Sequence, residues 1–225
     1  MRPAEAAEAH IRQGRLVAIV RLRRDGPTED LCNVLIEAGV RALEVTSDTP
    51  RVWSLIESLA GRFGPLAAIG AGTVMRPGDV AAAAGAGASF IVSPHADADV
   101  IAAARDLDVL SIPGALTPTE VIAARALGAG MVKLFPAEPL GTAYLRALRG
   151  PLPEVPLLPT GGIEIEDVPA YLAAGATAVG LGSSLVASGE TLETIAARAA
   201  RAVALARGSA AAAGPVLTPA QPALE

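Results

Sequence analysis

The sequence predicts an α/β fold: a single (β/α)8 barrel, or TIM barrel, with a short N-terminal helix and a disordered C-terminal tail. Short apolar runs alternate eight times with alanine-rich amphipathic segments. The runs are almost continuously apolar, which is typical of parallel strands covered by helices. Glycine recurs where the helical segments end. Eight such units in about 200 residues match a small barrel.

The strands and helices are predicted from these patterns in chain order. Proline often begins the helical segments, because its missing N–H would be unpaired in a first helical turn. Glycine often ends them, because it accepts the left-handed conformation of a helix terminus. The candidate strands are 16–21, 41–45, 67–72, 89–93, 109–114, 130–135, 157–162 and 177–182. The helical segments begin near Pro27, Pro50, Pro77, Asp97, Pro118, Gly141, Glu166 and Glu190.

The chain is predicted to form one domain. Residues 1–207 carry the barrel pattern, and residues 208–225 are a low-complexity tail rich in alanine and proline. An open doubly wound sheet is the alternative fold, but it usually has a glycine fingerprint after its first strand. Residues 21–30 hold a single glycine. The barrel is therefore favoured.

Composition narrows the class of function. The 225 residues carry a net charge of −5 and a pI near 5.2 without any block of like charge, so neither nucleic acid nor an anionic membrane is expected as a partner. The charged N-terminus and the lack of an 18-residue apolar run predict a cytoplasmic protein. One cysteine, Cys32, and two scattered histidines, His10 and His95, offer no metal-ligand spacing. No metal and no cofactor are expected.

Lys133 is the only lysine among 18 basic residues, and it lies in an apolar run. Unlike a guanidinium, an ammonium can lose its proton and become a nucleophilic amine. Alternation along strand six places Lys133 and Phe135 on one face. If that face lines the barrel, apolar walls favour the neutral amine. The alternative is a lysine that ends a strand and reaches solvent.

Glu44 is the only acidic residue within the eight candidate strands. A carboxylate in a parallel strand is costly unless it is paired or functional. The structural alternative is an ion pair with Lys133 or Arg21. An inward amine and an inward carboxylate together suit imine chemistry, in which one group is the nucleophile and the other shuttles protons.

Two glycine-containing turns predict a phosphate site. Gly161 and Gly162 follow strand seven, and Gly182 and Ser183 follow strand eight, where barrels commonly bind phosphate through loop amides and a helix N-terminus. Each turn alone is weak evidence, because paired glycines usually mark only a turn. Arg21, at the end of strand one, is expected to add a charged contact to the phosphate.

Seven ordered motifs give the sequence a family resemblance that runs from about Leu16 to Leu205. They resemble the class I aldolases that cleave 2-keto-3-deoxy-6-phosphogluconate (KDPG) and 4-hydroxy-2-oxoglutarate (KHG). The motifs are 42-ALEVT-46, 70-GAGTV-74, 91-IVSPH-95, 112-IPG-114, 132-VKLFPAE-138, 159-PTGGI-163 and 180-GLGSSLV-186.

The resemblance implies a homotrimeric barrel in which Lys133 forms a Schiff base with the substrate ketone and Glu44 is the acid and base. It also implies that Thr73 holds the pyruvate carboxylate. Phe135 is expected to contact the substrate. The phosphate is expected on Gly161, Gly162, Gly182 and Ser183, with Arg21 nearby. The expected products are pyruvate and glyceraldehyde 3-phosphate.

One position departs from the family pattern. Many members carry an arginine shortly after the E-V-T segment that is thought to grip the substrate carboxylate, whereas this chain has Asp48 near that place. This run looks more like the branch that includes enzymes for the galactonate epimer. Two other hypotheses remain: a barrel enzyme that acts on a different phosphorylated ligand, and a non-catalytic scaffold that binds phosphate.

Overall fold

The computed structural model describes residues 1–22, 26, 28–187 and 189–212. Over these residues the chain alternates strands and helices, which confirms the predicted α/β class. Its strands are β1 (Leu16–Val20), β2 (Ala42–Thr46), β3 (Ala68–Gly72), β4 (Phe90–Val92), β5 (Leu110–Ile112), β6 (Gly114–Ala115), β7 (Val132–Leu134), β8 (Leu157–Pro159) and β9 (Val179–Leu181). All paired strands are parallel.

The helices lie close to their predicted positions. They are α1 (Pro3–Gly14), α2 (Thr28–Glu37), α3 (Val52–Phe63), α4 (Pro77–Gly85), α5 (Ala98–Asp106), α6 (Pro118–Ala126), α7 (Gly141–Arg149), α8 (Val168–Ala173) and α9 (Leu192–Ala212), and a short 3-10 helix (Ile165–Asp167) precedes α8. Side chains that accept backbone N–H groups fix two of the starts, Asp97 before α5 and Thr117 before α6. The predicted start at Pro27 lies outside the described residues.

The prediction of one closed barrel is wrong, because the strands do not form a single continuous sheet. Within the described residues the strands form two sheets, a six-stranded half-barrel in the order β5-β4-β3-β2-β1-β9 and a three-stranded sheet β6-β7-β8. Pro113 divides the predicted fifth strand into β5 and β6, because proline has no N–H to continue a ladder. At the other junction, an isolated bridge joins Thr160 after β8 to Gly180 of β9. The fold is therefore barrel-like, with two interruptions.

Two apolar clusters hold the strands and helices together. The larger cluster lies between the strands and the surrounding helices. The smaller one brings α1, through Ala7 and Ile11, against residues of both sheets that include Phe90 of β4 and Met131 just before β7. Both of these large side chains are fully buried. Helix α1 thus packs against the beginnings of the strands and leaves their carboxyl ends for a site.

The C-terminal boundary also differs from the prediction. The predicted tail begins at residue 208, but α9 continues to Ala212, because alanine, the residue with the highest helix propensity, runs through this segment. Residues 213–225 of the predicted tail lie outside the described residues. No helix in the described part of the chain is long and apolar enough to cross a membrane.

Candidate active site

Lys133 lies in the middle of β7 and is 9% exposed. Its neighbours across the three-stranded sheet are Gly114 of β6 and Leu158 of β8. The Nζ atom lies 4.7 Å from the centroid of the Phe135 ring. The predicted shared face of Lys133 and Phe135 is therefore present, and the ring holds the ammonium by a cation–π contact.

Glu44 lies in the middle of β2 and is 2% exposed. Its side chain rests on Gly72 at the end of β3, where an added Cβ would overlap the carboxylate. Burial raises the pKa of Glu44, while the positive charges of Lys133 and Arg21 oppose that shift. A buried carboxyl group that holds its proton more tightly than usual is suited to exchange protons with a reacting group.

Lys133 and Glu44 line the same cavity of about 160 Å³ at the carboxyl ends of the strands, although they belong to different sheets. The structure brings eight of the nine predicted site residues to its wall: Lys133, Glu44, Arg21, Phe135, Gly161, Gly162, Gly182 and Ser183. The ninth, Thr73, is not among the lining residues, but its hydroxyl accepts a hydrogen bond from Arg21, which is. A larger cavity of about 360 Å³, near the first turns of α2 and α3, contains neither Lys133 nor Glu44, so its size does not make it the better candidate.

Two loops form the glycine-rich end of the cavity. Gly161 and Gly162 after β8 have φ values of +97° and +74°, which are accessible to glycine at little cost. The Ser184 hydroxyl after β9 donates to the Ile163 carbonyl at 2.8 Å and so ties the two loops together. The predicted phosphate loops are thus adjacent and joined.

Sequence reasoning missed an acidic residue beside these loops. The backbone N–H of Glu138 donates to the Gly161 carbonyl at 3.0 Å, and a Cβ on Gly162 would overlap the Glu138 carboxylate. It also missed Thr160, a buried residue of the cavity wall whose hydroxyl donates to the Leu158 carbonyl at 3.2 Å. Period-two alternation from Leu158 could have assigned Thr160 to this wall.

Arg21, which lines the cavity, forms a polar cluster with Asp48 and Thr73. One guanidinium nitrogen of Arg21 donates to the Asp48 carboxylate at 2.9 Å, and another donates to the Thr73 hydroxyl at 2.8 Å. Thr73 itself has φ +57°, which is strained for a β-branched residue. The Ser47 hydroxyl donates to the Thr73 carbonyl at 3.0 Å and holds it there. These contacts place Arg21 beside the segments after β2 and β3.

The arrangement combines a buried amine, a buried carboxyl group and two joined glycine-containing loops around one cavity. Among the described residues no group of histidine, cysteine, aspartate or glutamate side chains could hold a metal ion. A buried amine and a buried carboxyl group that share one cavity at the strand ends of an α/β fold form the arrangement expected of a lyase of the aldolase class.

Comparison with known proteins gives the family. The family model for KDPG and KHG aldolase matches residues 7–201, so the chain belongs to this family. It is 35% identical over 191 residues to the 2-dehydro-3-deoxy-6-phosphogalactonate aldolase of Escherichia coli strain K12, covering 84% of this chain and 93% of that protein. It is 36% identical over 163 residues to the 2-dehydro-3-deoxy-phosphogluconate aldolase of Pseudomonas aeruginosa, covering 72% and 74%.

A solved structure shares the fold. It is the KDPG aldolase of Legionella pneumophila with pyruvate captured as a covalent carbinolamine intermediate, at 28% identity and a TM-score of 0.75, covering 93% of this chain and 98% of that one. Family membership establishes the general activity of an aldolase.

Proposed function

We propose that the protein is a class I aldolase that cleaves 2-keto-3-deoxy-6-phosphogluconate to pyruvate and glyceraldehyde 3-phosphate through an imine on Lys133. The observation that carries this proposal is the shared cavity of Lys133 and Glu44, with glycine loops on its rim. The relatives named as phosphogluconate and phosphogalactonate aldolases support the substrate class. The carbinolamine in the Legionella enzyme supports the covalent route.

The residues account for each chemical step. The neutral Lys133 amine attacks the C2 ketone to give a carbinolamine, which loses water and becomes a protonated imine. This imine accepts the electron pair of the breaking C3–C4 bond, so an enamine forms in place of a free carbanion. Glu44 takes the proton of the C4 hydroxyl, and glyceraldehyde 3-phosphate leaves. Protonation of the enamine at C3 and hydrolysis of the imine release pyruvate and the free amine.

The phosphate is proposed to bind at the joined loops that contain Gly161, Gly162, Gly182 and Ser183. Backbone N–H groups of such loops bind oxyanions without a side-chain charge. Phe135 supports this end, because its ring carbons lie 3.0 to 3.1 Å from where a Cβ of Gly161 would be. The ring therefore packs against both the nucleophile and the phosphate loop, and it is proposed to contact the substrate between them.

The C4 epimer, 2-keto-3-deoxy-6-phosphogalactonate, is the second candidate substrate. The presence of Asp48 after β2 and the 35% identity to a phosphogalactonate aldolase favour it. 4-Hydroxy-2-oxoglutarate is a further candidate because the family model covers both aldolase types. A non-catalytic phosphate-binding scaffold would not require a buried amine opposite a buried carboxyl group.

Four further predictions accompany this function. The two sheets are proposed to work as one barrel, since the cavity takes residues from both and the bridge between Thr160 and Gly180 spans them. The homotrimer and the cytoplasmic location stay predictions. The domain of residues 1–207 is also a proposal, to which the described part of α9 adds residues 208–212.

Enzyme assays with both sugar acids test the proposal. Pyruvate released from each epimer is followed with lactate dehydrogenase and NADH, and kcat/KM is compared for the two. Faster cleavage of the gluconate epimer is expected. A Lys133→Arg variant is the control, because it keeps the positive charge and cannot form an imine. Equal turnover by that variant would exclude the imine route, and faster cleavage of the galactonate epimer would favour the second candidate.

A further inference from the structure

An acidic side chain, Glu138, lies against the loop that follows β8. Its backbone N–H donates to the Gly161 carbonyl at 3.0 Å. The Ala137 N–H donates in the same way to the Thr160 carbonyl at 2.9 Å, so the pairing of β7 with β8 continues to this point. A Cβ added to Gly162 would lie 2.9 Å from the Glu138 carboxyl carbon and closer still to Oε2. The carboxylate therefore contacts the backbone of Gly162.

The loop has hydrogen-bond donors that the protein does not use. Within the described part of the chain, the N–H groups of Gly162 and Ile163 donate to no protein acceptor. The Glu138 carboxylate, although adjacent, accepts no hydrogen bond and forms no ion pair with any described residue. Glu138 does not line the cavity, whereas Gly162 and Ile163 do. The loop thus keeps its donors for a ligand, and a negative charge lies on its other side.

Negative charge is not balanced around this carboxylate. Burial raises the pKa of Tyr171, and the charges of Asp167 and Glu138 raise it further. Arg198 lines a neighbouring cavity of about 350 Å³ that also borders the two loops, but it is paired with Glu190 at 2.5 Å. The Glu138 charge therefore acts on the site without a cation to offset it.

The size of the effect on a bound phosphate follows from charge and distance. A phosphate ester carries a charge of about −1.5 to −2 at neutral pH, and an exposed glutamate carries a charge of about −1. A phosphate that accepts from the Gly162 N–H would lie about 6 to 8 Å from the Glu138 carboxylate, given the length of one hydrogen bond and the thickness of the backbone. This is within about one Debye length at physiological salt. Repulsion over this distance, partly screened, corresponds to about 3- to 10-fold in affinity.

We propose that Glu138 limits the affinity of the glycine loops for phosphate by its negative charge and so favours release of the phosphorylated product. The loops bind the phosphate through backbone N–H groups, and Glu138 opposes that binding from the far side of Gly162. The role is electrostatic, because the carboxylate makes no hydrogen bond to the loop. This inference rests on the proposed function, since it concerns the phosphate end of the same site.

Titration calorimetry with glycerol 3-phosphate tests the inference without catalysis, because this ester has a phosphate and no ketone. Glu138→Gln keeps the shape of the side chain and removes its charge, so Kd is expected to fall by about 3- to 10-fold. Glu138→Ala also removes the packing against Gly162, and a similar fall is expected, since the backbone bond to Gly161 remains. The fall should shrink to less than about twofold when salt is raised from about 0.05 M to about 0.5 M.

A matched control separates a local charge from net charge. Glu57→Gln makes the same change of charge at an exposed residue of α3 that does not line the cavity of Lys133, and Kd should stay within about twofold of wild type. Borohydride trapping of pyruvate on Lys133 should be unchanged in Glu138→Gln and Glu138→Ala, because pyruvate has no phosphate. KM for the phosphorylated sugar acid should fall in both.

The sign of the change distinguishes a charge from a structural support. Weaker binding of glycerol 3-phosphate by Glu138→Ala, with wild-type binding by Glu138→Gln, would show that Glu138 supports the loop and would overturn the inference. Unchanged binding by both variants, or tighter binding that persists at high salt, would also overturn it. No binding by the wild-type protein would overturn it together with the phosphate site. Absence of pyruvate trapping in the wild-type protein would instead defeat the proposed imine. Thermal unfolding of each variant confirms that the measured protein is folded.

Discussion

A Gly72→Ala substitution tests whether the placement of Glu44 matters, without altering any proposed catalytic group. Gly72 ends β3, and its Cα faces the Glu44 side chain. A Cβ there would lie 2.6 Å from the Glu44 carboxyl carbon and 2.7 Å from Cγ, and closer still to Oε1. Gly72 does not have a positive φ, so space alone opposes the added methyl group.

The size of the effect follows from these distances. Carbon atoms settle about 3.5 to 4.0 Å apart, so the carboxyl group must move by about 1 Å. A misplacement of about 1 Å can lower a rate by about 100-fold, which corresponds to about 2.7 kcal/mol in the activation free energy. Overpacking at this buried position is expected to lower the free energy of unfolding by about 1 to 3 kcal/mol.

The assay compares kcat for pyruvate release by Gly72→Ala with kcat for Gly78→Ala. Gly78 lies in α4, and an added Cβ there meets nothing within 4 Å. Its substitution is expected to leave kcat within about twofold and to raise helix stability by up to about 1 kcal/mol. A folded Gly72→Ala protein with wild-type kcat would refute the claim that the position of the Glu44 carboxyl group controls turnover.

Three further predictions concern single residues. Glu44→Gln should lower kcat by about 10²- to 10⁴-fold. Burial raises the pKa of Glu44, so the stabilising contribution of this carboxyl group is fully present below the unfolded pKa of about 4.3 and is lost as pH rises through the folded pKa. The Tm of Glu44→Gln relative to wild type should therefore rise as pH increases above about 4.3, and a difference that does not change with pH would contradict this. Gly162 has φ +74° and lies against Glu138. Gly162→Ala should raise KM for the phosphorylated substrate by about 10-fold, since the left-handed backbone costs about 1 to 2 kcal/mol for a residue with a side chain. Pyruvate trapping at Lys133 should be unchanged, and equal losses in both measurements would argue for general unfolding. Burial raises the pKa of Cys32 to about 12, so iodoacetamide should label this thiol in denaturant and not in the native protein, and rapid native labelling would show that the thiol is accessible.

The spacing of apolar residues, together with proline and glycine at the ends of segments, was sufficient to predict the alternating strands and helices. It also led to the prediction that Lys133 and Glu44 belong to one site. Both residues stand out as chemical exceptions, one as the sole lysine and one as the sole acid in a strand. Strand alternation then places each on a face. The interruption at Pro113 was also visible in the sequence, but whether a proline breaks a ladder depends on which neighbours its strand has.

The direction taken by Arg21 could not be read from the sequence. The residue ends β1 between two possible neighbours, and only the side-chain contacts with Asp48 and Thr73 decide between them. Glu138 was missed for a similar reason. It is four residues from the end of β7 and 24 residues from Gly162, and backbone geometry alone brings its carboxylate to that loop.

Covalent capture of pyruvate tests the central claim most directly. The protein is incubated with pyruvate and borohydride, and its intact mass is measured before peptide mapping. Lys133 is the only lysine of the chain, so a side-chain adduct can form at one place, and Lys133→Arg leaves the N-terminus as the sole amine. One reduced pyruvate adduct per chain, mapped to Lys133 and absent from Lys133→Arg, is the expected result. No adduct, under conditions that trap a known imine-forming aldolase, would contradict the imine mechanism.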